Sequence, residues 1–213
     1  MTVERVEFAS LLCSRLCHDL LSPVGALNNG IELLADENDP EMRKRCLELL
    51  EQSARTTADK LKYFRLAFGS AGGFGDAIPT ADAHAAISGM IGEPRKIELG
   101  WLVHDDALPK SVIRVMLNLA LVAIDALVRG GRLDIGVERH DDHVEIVVRA
   151  EGPRLAVDDS IIAALEGNLP EGELAARTAP AWMTHVIAEA SGGRVLSSRD
   201  GDDAILLGAT LDA

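Results

Sequence analysis

The sequence predicts two units in tandem: a long antiparallel helical hairpin that pairs with a second copy into a four-helix bundle, then an α/β sandwich. Three observations carry this. Before residue 70, apolar residues recur in steps of three and four over two long stretches separated by a short polar break. Beyond about residue 80, helical and two-residue periodicities alternate. Between the two regimes lies a Gly/Ala-rich stretch, 69–75, which reads as a boundary between units 1–70 and 76–213.

The first helix is read from Phe8, Leu12, Leu16, Leu20, Val24, Leu27, Ile31 and Leu34, one continuous stripe. His18 lies two residues from both Leu16 and Leu20, so it points away from that stripe, on a side shared with Ser14, Ser22, Gly25 and Asn29. A solvated imidazole, with a reference pKa of about 6.5, is largely neutral at cellular pH and can attack phosphorus through one ring nitrogen while an acceptor holds the other. Asp19 is the natural acceptor or proton handler. Pro23 cannot donate to the carbonyl of Asp19 and crowds it, which is expected to bend or loosen the helix beside the histidine. The stripe continues about three turns past Pro23, so the proline is not a stop signal.

The second helix follows Asp36-Glu37-Asn38-Asp39-Pro40, with Leu47, Leu50, Ala54, Ala58, Leu61, Phe64 and Phe68 as its stripe and Gly69, Gly72 and Gly73 ending it. Two helices roughly 40–45 Å long, at about 1.5 Å per residue, joined by so short a break must run antiparallel. Alone they leave the stripe half wet, and a homodimer is the expected remedy. Counting outward from Asn38 sets His18 level with about Ala58, and the Ser22–Asn29 stretch opposite Leu47, Glu51 and Arg55. A partner reaching the histidine is expected to rest on Arg15, Leu21, Ser22, Gly25, Asn29 and Arg55.

In the second unit, 81–91 reads as a helix, 96–103 as a strand, 110–128 as a long apolar helix, and 132–139 with 143–150 as a hairpin. Helices at 158–165 and 182–190 precede closing strands at 194–198 and 204–210. Helices gathered on one face of a mixed sheet make the sandwich.

His18-Asp19-Leu20-Leu21-Ser22-Pro23 resembles the histidine box of two-component sensor kinases, whose dimerisation and phosphoacceptor domain is such a hairpin. The wider run LLCSRLCHDLLSPVGALNNGIELL is still more similar to the ChpT-type histidine phosphotransferases of alphaproteobacteria, and the likeness covers the whole chain. It implies that the second unit is a degenerate Bergerat-type ATPase fold with its nucleotide motifs worn away. Of the asparagine box, Asn118 remains, but Val122 stands where the family's magnesium ligand would, and a hard cation demands oxygen. Of the adenine-reading patch, only Gly152 remains in Ala150-Glu151-Gly152-Pro153-Arg154. Where a glycine-rich phosphate loop would precede the helix near Trp182, Thr178-Ala179-Pro180-Ala181 has no glycine, and Pro180 removes an amide. Asn118 and Gly152 therefore read as a vestigial nucleotide site, and neither ATP nor any other cofactor is expected on this chain.

Composition sets limits. The chain of 213 residues has a net charge of −13. Residues 1–70 hold 9 basic and 11 acidic side chains, leaving 12 basic and 23 acidic for the remainder, or −11. An acidic body repels polyphosphate and nucleic acid, which argues against DNA binding. Hydrophobic content of 47% with aromatics at 3% suits an aliphatic helical protein. The N-terminus lacks a signal pattern and 117–128 is too short to span a bilayer, so a cytoplasmic protein without membrane attachment is expected. No metal site is expected. Cys13 and Cys17 have no second pair for zinc, Cys46 is unremarkable, and His140-Asp141-Asp142-His143 reads as a solvated turn. His84, His104 and His185 lack chemical company, and Ser10, Ser14 and Ser22 lack a nucleophile elbow.

Together these readings give a cytoplasmic, dimeric histidine phosphotransferase using His18 and Asp19, with Ser22 and Pro23 in support. The resemblance implies a receiver domain of a hybrid kinase as donor and response regulators as acceptors, with magnesium carried by the receiver. The alternatives are a sensor-type kinase with an atypical ATP site and a non-catalytic adaptor for response regulators.

Overall fold

Asp39 and Pro40 set the turn of the hairpin. A computed structural model describes residues 5–69, 75–92 and 96–212. In it α1 runs Arg5–Asp36 and α2 Pro40–Ala67. The Asp39 carboxylate accepts from the amides of Glu41 and Met42, and Pro40 occupies the first turn, where its missing donor is harmless. Arg43 Nη1 donates to the carbonyls of Leu34 and Glu37 at 3.0 and 2.7 Å, closing the C-terminal end of α1.

The two helices meet through small residues. Pro23 and Gly30 are buried on α1, Cys46 and Ser53 on α2. A Cβ on Gly30 would lie 2.9 Å from Leu50 Cδ2, so glycine is what lets the helices approach there. Gly30 opposite Leu50, and Asp19 within reach of Lys60, place the helices about one turn out from the alignment counted from Asn38: His18 lies level with a point beyond Ala58. The connecting residues 37–39 are themselves centred on Asn38, so the difference is an axial offset of α2 against α1.

The apolar stripe of α1 divides in two. Phe8 and Leu16 pack against the buried core that the end of α2 shares with the sandwich, while Val24 and Ile31, seven residues apart, are exposed. Leu47 and Leu61 are exposed on α2, with exposed Ala54 midway between them. The end of α2 behaves differently: Tyr63, Phe64, Leu66 and Ala67 are buried in one continuous core with the sandwich. Most of the 69–75 stretch read as a boundary lies outside the described residues.

The sandwich comprises β1 (Ala77–Pro79), α3 (Thr80–Met90), β2 (Ile97–Val103), β3 (Ala107–Pro109), α4 (Lys110–Ala126), β4 (Gly131–Arg139), β5 (His143–Glu151), α5 (Asp159–Leu165), α6 (Ala179–Ala190), β6 (Arg194–Asp200) and β7 (Ala204–Asp212). The five-stranded sheet has the order β2-β4-β5-β7-β6, with β2 parallel to β4 and the other pairs antiparallel. Alternation along β4 and β5 buries Leu133, Ile135, Val137 and Val144, Ile146, Val148 against the helices. The β1–β3 ribbon is absent from the sequence reading, because three residues per strand are too few to show a period; its strands end in Pro79 and Pro109, which lead into α3 and α4. α6 begins three residues before Trp182, with Pro180 in its first turn. α4 is buried almost throughout and lies between the sheet and the end of α2.

Candidate phosphoacceptor site

His18 projects from α1 with 84% of its side chain exposed. Its Nδ1 lies 3.2 Å from Asp19 Oδ1. With that nitrogen engaged, Nε2 is the one presented to solvent. Asp19 sits on the flank of the helix, only 16% exposed, and its second oxygen accepts from Arg15 Nε at 2.7 Å. Arg15 Nη2 donates in turn to Asp125 on α4 at 2.6 Å. Burial alone would lower the Arg15 guanidinium, but the charge and hydrogen bond of Asp125, followed by those of Asp19, outweigh it and raise the pKa.

Pro23 leaves α1 unbroken from Arg5 to Asp36. Proline at this position deprives the carbonyl of Asp19 of its helical donor, and Lys60 Nζ of α2 donates to that oxygen instead, at 2.7 Å. The expected loosening is thus compensated across the hairpin: Asp19 is held through its main chain by α2 and through its side chain by Arg15.

Four of the six residues expected to receive a partner are exposed. Leu21 (69% exposed), Ser22 and Asn29 face solvent, and a side chain added at Gly25 would meet open space. Arg55 is exposed and lines a groove of about 710 Å³ between the hairpin and the sandwich, together with Arg15, Asp19, Lys60, Gly89 and Asp125. Arg15 differs from its expectation as a partner contact. It is 14% exposed and spends its fork on Asp19 and Asp125, so its engagement is internal.

The two residues read as a vestigial nucleotide site are each engaged in packing and hydrogen bonds within the fold. Asn118 is wholly buried and faces α2, its Nδ2 donating to the carbonyls of Ala67 at 3.2 Å and Arg114 at 2.7 Å. Its Oδ1 has no hydrogen-bond partner among the described residues. Gly152 donates its amide to the carbonyl of Asp203, and a Cβ there would lie 2.6 Å from the carbonyl oxygen of Gly130 and 3.0 Å from Leu127. Val122 is buried, as are Ala179, Pro180, Ala181 and Trp182 at the start of α6. Asn118 thus ties α2 to α4, and Gly152 permits close packing of backbones.

Lys60 and Asp125 are the residues missed in the sequence. A carbonyl vacated by a helix-internal proline needs a donor, which signals Lys60 once the hairpin alignment is right. A lone carboxylate in the most apolar helix needs a cationic partner, which signals Asp125. Elsewhere, Cys13 and Cys17 are exposed and Cys46 is buried. His140 and His143 stack at 4.5 Å on the exposed β4–β5 turn beside Glu145.

Comparisons with known proteins bear on this geometry. Residues 80–203 match the family model of the histidine phosphotransferase C-terminal domain. The protein phosphotransferase ChpT of Brucella abortus (strain 2308) is 32% identical over 205 residues, spanning 96% of each chain. The chain belongs to the histidine phosphotransferase family. A bacterial phosphotransferase solved at 1.7 Å superposes on this family member with a TM-score of 0.85 at 30% identity over 98% of both chains. The Acinetobacter baumannii histidine kinase AdeS is more distant, at 14% identity and a TM-score of 0.47 over 92% of this chain and 97% of the kinase.

Proposed function

We propose that this protein is a phosphorelay intermediate that takes a phosphoryl group from the aspartyl phosphate of one receiver domain onto His18 and passes it to the aspartate of another. The observation that carries the reading is the exposed imidazole whose Nδ1 is turned to a carboxylate, leaving Nε2 outward. In the forward step the Nε2 lone pair attacks phosphorus. The P–O bond to the receiver's aspartate breaks with its electron pair returning to the carboxylate, and the Nδ1 proton is shared with Asp19 as charge develops on the ring. Magnesium arrives with the receiver. Leu21, Ser22, Gly25 and Asn29 form the floor on which the receiver rests, with Arg55 at the edge of the adjoining groove.

The exposed apolar residues Val24 and Ile31 on α1, and Leu47 and Leu61 on α2, support a second copy completing a four-helix bundle. Spacings of seven and fourteen residues are those of a helix–helix seam. The buried Asn118, the close packing at Gly152 and the buried start of α6 support a protein that receives phosphate from a receiver and not from ATP. Among the described residues no helix is long and apolar enough to cross a membrane. With the acidic second unit, that supports a cytoplasmic go-between that binds neither membrane nor nucleic acid.

A phosphotransfer profile tests the reading. Purified receiver domains, phosphorylated on aspartate, are mixed with the wild-type chain and with His18→Ala. The expected result is acid-labile label on the wild type and none on the variant, with both forms dimeric. Transfer to His18→Ala would overturn the assignment, and dimeric chains that bind receivers but never accept label would make the protein an adaptor.

A further inference from the structure

We propose that Asp125 of the sandwich is a positioning residue for chemistry at His18, acting through Arg15 on the orientation of Asp19; this rests on the reading of His18 as the phosphate carrier. Asp125 touches neither the imidazole nor the phosphate. Its Oδ2 accepts from Arg15 Nη2 at 2.6 Å, while Arg15 Nε meets Asp19 Oδ2 at 2.7 Å and Asp19 Oδ1 lies 3.2 Å from His18 Nδ1. The four groups come from two units of the fold, 110 residues apart at the Arg15–Asp125 step.

The guanidinium makes this an arrangement of orientation and not only of charge. Its nitrogens are coplanar and fixed in angle, so the position of the Asp125 carboxylate sets the direction from which Nε meets Asp19. Residues adjacent on a helix diverge by about 100° around the axis, so the Asp19 side chain reaches its neighbour's ring only in a restricted set of rotamers. Unbraced, the carboxylate would be free to leave the ring for solvent. Braced, it is 16% exposed while the ring beside it is 84% exposed, an open nucleophile next to an anchored proton partner. The second unit thereby influences the reacting nitrogen without binding a nucleotide. Lys60, on the Asp19 carbonyl, fixes the main chain of the same residue from α2.

The test uses the full chain and phosphoramidate, a small phosphodonor that needs no docking surface. The Nε2 lone pair of His18 attacks phosphorus, the P–N bond breaks with its pair leaving as ammonia, and the Nδ1 proton passes to Asp19 or to solvent. Asp125→Ala, which removes the acceptor that Arg15 Nη2 meets, is expected to lower the rate at saturating donor roughly tenfold, as loss of positioning does, with the half-saturating phosphoramidate concentration unchanged. In ¹⁵N spectra of the imidazole, the Nδ1–H tautomer loses population. Asp19→Asn is expected to lose about a hundredfold. Because both act on one group, Asp19→Asn/Asp125→Ala should be no slower than Asp19→Asn alone.

An Asp125→Ala rate within twofold of wild type, or a double variant slowed by the product of the two single effects, overturns the proposal. Should Asp125→Ala melt below the assay temperature, Arg15→Lys reads the same coupling, since an ammonium lacks the planar fork. A slowed Arg15→Lys supports the brace, and a wild-type rate refutes it. His18→Ala in parallel separates this outcome from failure of the phosphate-carrier reading, which would show as label remaining on that variant.

Discussion

Changing Asn118 to aspartate tests whether this residue is a clamp between α2 and α4. In the structure its amide nitrogen donates to two carbonyls, of Ala67 and Arg114, inside a fully buried site. Asn118→Asp replaces that donor with an oxygen facing two other oxygens. The new carboxyl avoids repulsion by keeping its proton, which restores one of the two bonds, while the Arg114 guanidinium, whose Nε donates to the same Ala67 carbonyl at 3.4 Å, favours the ionised form and offsets part of the cost. Holding a carboxyl of reference pKa about 3.9 neutral at pH 7 spans roughly three units at 1.36 kcal/mol each, at most about 4 kcal/mol, and the remaining lost bond adds about 1 kcal/mol. For a chain of this size, 1 kcal/mol corresponds to about 2–4 °C, so the melting temperature at pH 7 should fall by up to roughly 10–20 °C. The folded pKa lies above the unfolded one, so the unfolded chain releases the proton first. Most of the penalty is therefore absent below about pH 4 and grows as pH rises. Thermal melts of variant and wild type at pH 4.5 and pH 7.5 check this. A loss under about 3 °C at pH 7.5, or an equal loss at both pH values, would refute the clamp.

Four further outcomes follow from particular contacts. Lys60→Met leaves the Asp19 carbonyl without the donor that replaces its helical one; it should cost about 1 kcal/mol in denaturant titrations, and adding Pro23→Ala, which returns the amide, should recover most of it. Gly30→Val places a Cβ 2.9 Å from Leu50 Cδ2 and is expected to destabilise the hairpin by about 1–3 kcal/mol, with partial relief by Leu50→Ala. On the proposed bundle, the wild-type chain should run as a dimer in light scattering and Val24→Glu/Leu61→Glu as a monomer, with helical content intact. His143 should titrate above its ordinary range in proton NMR, chiefly through its hydrogen bond with Asp142, and Asp142→Asn should return it toward that range. Because the folded value is raised, the turn's contribution to stability is present below about pH 6.5 and fades as pH rises through the folded value.

Long elements were legible in the sequence for physical reasons. A stripe repeating over eight turns of α1, or the alternation of β4 and β5, averages over many side chains. The β1–β3 ribbon offers three residues per strand and no average. The location of His18 on the wet side of its helix followed from its offset to Leu16 and Leu20. The company of His18 did not, because Arg15, Asp125 and Lys60 meet only through tertiary packing. The same packing sets Phe8 and Leu16 against the core shared by α2 and the sandwich and leaves Val24 and Ile31 outside, a division that a single continuous stripe conceals. Asn118 shows the opposite case: its residue type suggested a nucleotide remnant, and its burial against Ala67 shows what it holds together.

The most direct measurement follows the source of the phosphate. The full chain is incubated with γ-labelled ATP and magnesium in one reaction, and with a receiver domain carrying labelled aspartyl phosphate in another. The expected result is label on His18 from the receiver and none from ATP. Stable labelling of His18 by ATP in the absence of any receiver would contradict the account.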